Sequence, residues 1–290
     1  MSLAVAVPFG VGSAVVYGAS IVVQHRMAQA HVGDEGEASA SALLQMARNP
    51  VWLMAIGGDL VGFLLQIVAL SLGSVVVIQP LVVLMLPVAL VVSALTGGHH
   101  PRRADYLGVL GVLGGLAVFL ALIGRPAAGH VPRPHVIGMA VLAVLVLGAG
   151  LVLTVIGRGR VCRGVMYGAV AGLYFGTLAV LVDAASDRFS KAGLHGLLAT
   201  PRGFVPLIGI VLVGAGGIVL TQLSFQVGAL GATLPANLAT DPLTGVLLGV
   251  LLLRENVPIS AWRAVVYALC LVAVVAGAIR LADPEHERRG

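Results

Sequence analysis

The stretch GSVVVIQPLVVLMLP, residues 73–87, decides the fold because it is almost entirely apolar and yet contains two prolines. A second stretch, GALGATLPANLATDP at 228–242, has its glycine and both prolines at the same places, 155 residues further along the chain. The matched residues are Gly73 with Gly228, Pro80 with Pro235, and Pro87 with Pro242. Two prolines seven residues apart in matching apolar segments indicate an internal repeat.

The composition around these stretches is that of a chain solvated by lipid. Hydrophobic residues make up 59% of the 290 positions, charged residues make up 10%, and the mean hydropathy is +1.04. Such a chain has too few polar side chains to cover a water-exposed surface. A membrane crossing needs about 20 apolar residues. Nine stretches have about that length: 4–24, 51–70, 74–95, 105–123, 136–156, 164–183, 204–225, 229–252 and 262–281. We therefore predict an all-α integral membrane protein without a soluble catalytic domain.

The repeat divides these nine predicted transmembrane helices into two halves. At the 155-residue offset Gly62 matches Gly217, and the Tyr-Gly-Ala at 17–19 recurs at 167–169. We predict a first repeat over 1–130 with spans one to four, a linker helix within 131–160, and a second repeat over 161–290 with spans six to nine. Because one linker crossing follows four spans, the second repeat is inverted relative to the first. Many transporters alternate between inward-open and outward-open states by means of such inverted repeats.

The basic residues predict the orientation in the membrane. Of the 17 Lys and Arg, ten fall on the side opposite the N-terminus and seven on the N-terminal side. The positive-inside tendency then places the N-terminus outside and the C-terminus in the cytoplasm. A single Lys against sixteen Arg, with much Ala, Gly and Val, indicates a GC-rich bacterium. We therefore expect a multi-pass protein of the bacterial inner (cytoplasmic) membrane.

Two carboxylates fall near the middle of predicted spans, Asp59 in span two and Asp241 in span eight. A charged carboxylate at that depth costs about 2.5–3.5 kcal/mol. No Lys or Arg is predicted at the same depth, so each carboxylate must be protonated, hydrogen-bonded or matched by a bound cation. Other polar side chains lie on single helix faces at spacings of three or four residues. They are Gln66 on span two, Thr221 and Ser224 on span seven, and Thr233, Asn237 and Thr244 on span eight.

We predict that these eight residues bind a substrate or coupling ion, with Asp59 and Asp241 as the ligands if that ion is a metal. The alternative is that each Asp is a structural hydrogen-bond acceptor for Asn, Gln or Thr on a neighbouring helix. The sequence leaves both interpretations open. Charged residues at the ends of spans, where a solvated side chain is ordinary, are not part of the predicted site. They are Asp183, Asp187, Arg254 and Glu255.

The prolines inside the spans are predicted to break their helices. A proline removes a backbone donor and leaves a carbonyl oxygen free, and lipid tolerates such a free group only where protein or a cavity satisfies it. The residues concerned are Pro80, Pro87, Pro235 and Pro242.

An Ala-rich helix hairpin with prolines, followed by an acidic residue, covers 69–87 and 228–255. This pattern resembles the drug/metabolite transporter (EamA-like) superfamily, and the resemblance extends over nearly the whole chain. The run GDLVGF at 58–63, followed by QPL at 79–81, is similar to the NIPA-type magnesium transporters. That family carries Gly-Glu, Asn-Phe and Thr-Pro-Leu at these places and also has nine helices. The chain departs from it at Asp59, Gly62 and Gln79, where the family has Glu, Asn and Thr.

These features predict a secondary transporter that moves a small metabolite or cation by alternating access. The resemblance implies a magnesium or divalent-cation carrier as an alternative, and an auxiliary membrane subunit without its own flux is a third hypothesis. We do not expect an enzyme, because no residues have the spacing of a nucleophile with its base or of a metal-binding histidine cluster. The expected partners are the lipid bilayer and a small-molecule or ion substrate, with no nucleic acid and with a homodimer left open. No cofactor is expected beyond a transported or coupling H⁺ or Mg²⁺.

Overall fold

In lipid, a backbone can satisfy its polar groups within one segment only by forming a helix, and the apolar segments of this chain are helical. A computed structural model describes residues 3–30, 47–96, 103–123, 130–227, 230–255 and 260–281. These residues contain no strand, so the predicted all-α fold class is confirmed. The α-helices are α1 Leu3–Ala30, α2 Pro50–Leu72, α3 Val75–Ile78, α4 Met85–Leu95, α5 Arg103–Ile123, α6 Pro134–Thr154, α7 Arg160–Leu198, α8 Pro201–Val227, α9 Leu230–Leu251 and α10 Ala261–Leu281.

Within the described residues, six helical stretches are long and apolar enough to cross a membrane. They are Ala4–Met27, Pro50–Leu72, Val75–Leu95, Pro134–Thr154, Arg160–Leu198 and Pro201–Val227. Three shorter apolar stretches lie at Leu107–Phe119, Ala236–Leu251 and Ala261–Ala273. Many large apolar side chains on the outside of the bundle are exposed, among them Met54 and Leu142, as suits a surface that faces lipid rather than water. The protein is therefore embedded in a membrane.

The third predicted span is interrupted. Between α3 and α4 the chain forms a 3₁₀ helix at Gln79–Leu84. Pro80 lies in its first turn, and because proline has no N–H it cannot continue the α-helical bonding of α3. Pro87 is the third residue of α4. Pro235 and Pro242 lie inside α9, which is helical throughout, so the matched proline pairs occur in different local structures.

Helix α7 is longer than its predicted span. It runs for 39 residues, and Gly193 interrupts it with φ 61° and ψ −163°. Only glycine adopts this region of φ and ψ without strain. The chain therefore bends sharply at Gly193, a few residues before α8 begins at Pro201.

The two halves have similar helix neighbours. In the first half α1 packs on α2 and on the interrupted segment from α3 to α4, and in the second half α7 packs on α8 and on α9. Helix α5 packs against α10. The contact between α7 and α9 is a close backbone approach, because a methyl group at Gly172 or Gly176 would overlap the carbonyl oxygen of Asn237 or Asp241 respectively. Small residues permit such contact between membrane helices.

Replacing Gly176 with Leu should force α7 and α9 apart, because the new side chain would meet the α9 backbone at Asp241. Overpacking costs about 1–3 kcal/mol, so we expect the Tm of the purified protein in detergent to fall by roughly 5 °C or more. The control is Gly114→Ala on α5, because an added methyl group there has no described atom within 4 Å. This substitution should leave Tm nearly unchanged. An unchanged Tm for Gly176→Leu would show that these backbones are not in contact.

Candidate functional site

Asp241 is the end point of a chain of hydrogen bonds in the interior. Only 5% of its surface is exposed, and its Oδ1 accepts a hydrogen bond from Nε2 of Gln79. Oε1 of Gln79 accepts from Nε2 of Gln66 at 3.3 Å, and Oε1 of Gln66 accepts from the Tyr17 hydroxyl at 3.3 Å. This chain of hydrogen bonds thus joins α1, α2, the 3₁₀ helix and α9. Every donor in it points towards Asp241.

Asp59 is the end point of a second chain. Its Oδ2 accepts a hydrogen bond from Nε2 of Gln24 at 2.6 Å, and Oε1 of Gln24 accepts from Nε2 of Gln222 at 2.6 Å. This chain joins α2, α1 and α8. Gln24 and Gln222 are buried, whereas Asp59 is half-buried.

The remaining predicted site residues lie on α8 and α9. Nδ2 of Asn237 donates to Oγ1 of Thr221 at 3.2 Å, which connects these two helices. The hydroxyl of Ser224 donates to the backbone oxygen of Thr221 at 2.7 Å, within α8. Thr244 is buried one turn after Asp241. Thr233 and Pro235 belong to α9, but their side chains lie outside the described residues.

Neither Asp59 nor Asp241 forms an ion pair with any residue that the structure describes. The described residues include no group of three or more His, Cys, Asp or Glu that could hold a metal.

Three glutamines that the sequence prediction left out of the site belong to it: Gln24, Gln79 and Gln222. Gln79 stands in an apolar span that has no polar face, and Gln222 lies on span seven beside the face that carries Thr221 and Ser224. Gln24 was the last residue of predicted span one, where a polar side chain is ordinary. Helix α1 instead continues to Ala30, which places Gln24 inside the bundle.

Glu255 corrects the expectation of a solvated side chain at the end of span eight, since it is only 4% exposed. Its Oε1 accepts a hydrogen bond from the amide of Val75, and its Oε2 accepts from the amide of Val76 and the hydroxyl of Ser74, all at 3.0 Å. The first amides of helix α3 have no acceptor inside the helix. The Glu255 carboxylate is the acceptor for two of them. Arg254 is exposed, as expected.

Asp183 and Asp187 are less exposed to solvent than the sequence predicted for the ends of spans. Asp183 is half-buried in α7 and interacts electrostatically with Glu255. Asp187 is also half-buried and forms an ion pair of 2.7 Å with Lys191, one turn further along α7. Both carboxylates are therefore only partly exposed to solvent.

Replacing Glu255 with Ala should destabilise the protein, because three donors at the start of α3 lose their acceptor. Buried donors without partners cost about 1–3 kcal/mol each, so we expect a lower Tm in detergent. Glu255→Gln keeps one carbonyl acceptor and should give an intermediate Tm. Equal Tm values for Glu255→Ala and the unsubstituted protein would contradict the proposed helix cap.

Comparison with known proteins gives one family relationship. No known family model and no solved structure matches the chain. Over 280 residues the chain is 31% identical to an uncharacterized protein of Corynebacterium glutamicum, and this alignment covers 95% of the chain and 94% of its relative. The similarity includes nearly the whole helical part rather than one motif. The chain therefore belongs to the same protein family as this Corynebacterium glutamicum protein.

Proposed function

We propose that the protein is a secondary transporter that moves a small metabolite or cation across a bacterial cytoplasmic membrane by alternating access. The N-terminus would lie outside and the C-terminus in the cytoplasm, as the distribution of basic residues indicates. The observation that carries this proposal is that each interior carboxylate ends a hydrogen-bond chain that begins in the other half of the protein.

The two chains run in opposite directions between the proposed repeats. Tyr17, Gln66 and Gln79 belong to the first half and donate towards Asp241 in the second. Gln222 belongs to the second half and donates through Gln24 to Asp59 in the first. A rocking motion of one half against the other would change both chains together. In many transporters that work by alternating access, the substrate site lies between two repeats in this way.

Matching contacts in the two halves support an inverted repeat. Gly62 on α2 lies against the ring of Tyr17 on α1, and Gly217 on α8 lies against the ring of Phe175 on α7. Gly62 and Gly217 are the pair that the 155-residue offset relates. The first two helices of each half therefore pack through a glycine and an aromatic ring.

We assign nine membrane crossings, adding α5, α9 and α10 to the six long apolar stretches. These three helices have 21, 22 and 21 residues. At a rise of about 1.5 Å per residue each is about 30 Å long, which equals the hydrocarbon thickness of a typical bilayer. With nine crossings, α6 would be the linker between the two proposed four-helix repeats.

The chemistry of the site favours a cationic substrate or a coupling proton. Donors on amide and phenol groups stabilise an ionised carboxylate, but they do not cancel its charge. Because no described cation pairs with Asp59 or Asp241, a bound cation or a proton would complete the neutralisation. Carboxylate, amide and hydroxyl oxygens are also the ligands that Mg²⁺ and other hard cations take, which keeps the magnesium carrier as a second candidate.

Alternating access predicts that Thr244 is reached by water from both sides of the membrane. In a protein with Cys162→Ala and Cys270→Ala, the variant Thr244→Cys should react with a membrane-impermeant thiol reagent in right-side-out and in inside-out vesicles. Leu247→Cys is the control, because Leu247 is exposed on the outside of α9 and would face lipid. Labelling of Thr244→Cys from one side only, or from neither side, would contradict alternating access.

Removing the charge of Asp241 should reduce flux. In liposomes containing pyranine for H⁺ or a magnesium-sensitive dye for Mg²⁺, we expect Asp241→Asn to lower the active flux at least about tenfold, which corresponds to about 1.4 kcal/mol. Thr240→Val is the control on the same helix, since the Thr240 hydroxyl donates to the Ala236 carbonyl of α9 itself and to no other group among the described residues.

The same measurement separates the alternatives. A Mg²⁺ signal that depends on Asp241 would favour the magnesium carrier, and an H⁺ signal with added metabolites would favour proton-coupled transport. A protein that copurifies with a stable partner and gives no flux alone would support the auxiliary-subunit hypothesis. Equal rates for Asp241→Asn and the unsubstituted protein would exclude the proposed role of Asp241.

A further inference from the structure

A cavity of about 350 Å³ lies away from the two hydrogen-bond chains, where α7 ends and where α6 and α8 begin. Three separate parts of the chain line it: the segment before α6, the last turns of α7 before its bend, and the first turn of α8. The lining residues are His130, Val131, Pro132, Arg133, Asp187, Arg188, Lys191 and Arg202.

The wall of this cavity carries an excess of positive charge. It contains three arginines and one lysine against a single carboxylate, Asp187. Asp187 already pairs with Lys191. Arg133, Arg188 and Arg202 therefore remain without an ion-pair partner among the residues that the structure describes. Repulsion between guanidinium groups costs free energy, and an anion in the cavity would remove that cost.

The backbone adds to the positive potential. Arg133 is the residue before α6, and Arg202 is the second residue of α8. The N-terminal end of an α-helix carries a partial positive charge and favours anions. Arg188 is held in place because its Nε donates to the carbonyl oxygen of Gly196 at 3.3 Å. The cavity thus combines two helix N-termini with an oriented guanidinium.

We propose that this cavity binds a phosphate group. A guanidinium group can donate two parallel hydrogen bonds to two oxygens of one phosphate. Three arginines around one cavity therefore suit a ligand with several anionic oxygens better than they suit a carboxylate, which has two. The volume is in the range of small-molecule sites. The cavity lies at the ends of helices that cross the membrane, which is the depth of lipid headgroups. The phosphate can therefore belong to an anionic phospholipid or to a small soluble molecule, and the same chemistry recognises both.

Two binding measurements on the purified full-length protein distinguish these sources. Native mass spectrometry with phosphatidylglycerol, and with zwitterionic phosphatidylcholine for comparison, tests the lipid. Thermal stability in detergent with inorganic phosphate or glycerol 3-phosphate, and with chloride at equal ionic strength, tests the soluble ligand. We expect at least one of them to bind, and we expect the double variant R133Q/R202Q to weaken that binding at least about tenfold.

The matched control is R158Q/R160Q, which removes the same charge from exposed positions at the opposite end of α7 and should bind as the unsubstituted protein does. R133K/R202K keeps the charge but loses the paired donors, and should bind with intermediate strength while reporting on folding. Specific phosphatidylglycerol adducts would identify a lipid site, and stabilisation by phosphate would identify a soluble ligand. Absence of both, or equal binding by R133Q/R202Q and R158Q/R160Q, would overturn the proposal.

Discussion

A carboxylate between apolar helices is costly unless hydrogen-bond donors reach it, and the interior of this protein is arranged around that constraint. Glutamine side chains are the donors: Gln79 donates a hydrogen bond to Asp241, and Gln24 donates one to Asp59. Each of these amides also has an oxygen that must be satisfied, and a further glutamine on another helix donates to it. Satisfying two carboxylates therefore fixes the relative positions of five helical segments.

The interrupted helix between α3 and α4 depends on the same principle. The four residues of α3 form too short a helix to be stable alone. Its first amides bind Glu255, which follows α9, and the side chain after its last residue, Gln79, binds Asp241 within α9. Gly245 and Gly249 leave room on α9 for Gln79 and Val76. The second half thus holds this element of the first half at both ends.

The length and hydropathy of the apolar stretches were enough to predict the helical fold, and helical periodicity grouped some of the interior polar residues. Thr221 and Asn237 were placed on polar faces of different helices, and they are hydrogen-bonded in the structure. Gln24 and Glu255 were assigned to membrane edges because hydropathy measures only the average polarity of a segment. The contact of Glu255 with Val75 joins residues 180 positions apart. No pattern within one helix contains information about such a partner.

Helix α7 contributes to two separate regions of the protein. Between Arg160 and the bend at Gly193 it extends for about 50 Å at a rise of about 1.5 Å per residue, which exceeds the thickness of the hydrocarbon core. Gly172 and Gly176 fix its inner part against the backbone that carries Asp241, and Arg188 stands on its outer part at the basic cavity. One continuous helix therefore carries both the contact with α9 and part of the basic cavity. A tilt of α7 at the membrane surface would also move Gly172 and Gly176, which pack against the backbone of α9 at Asp241.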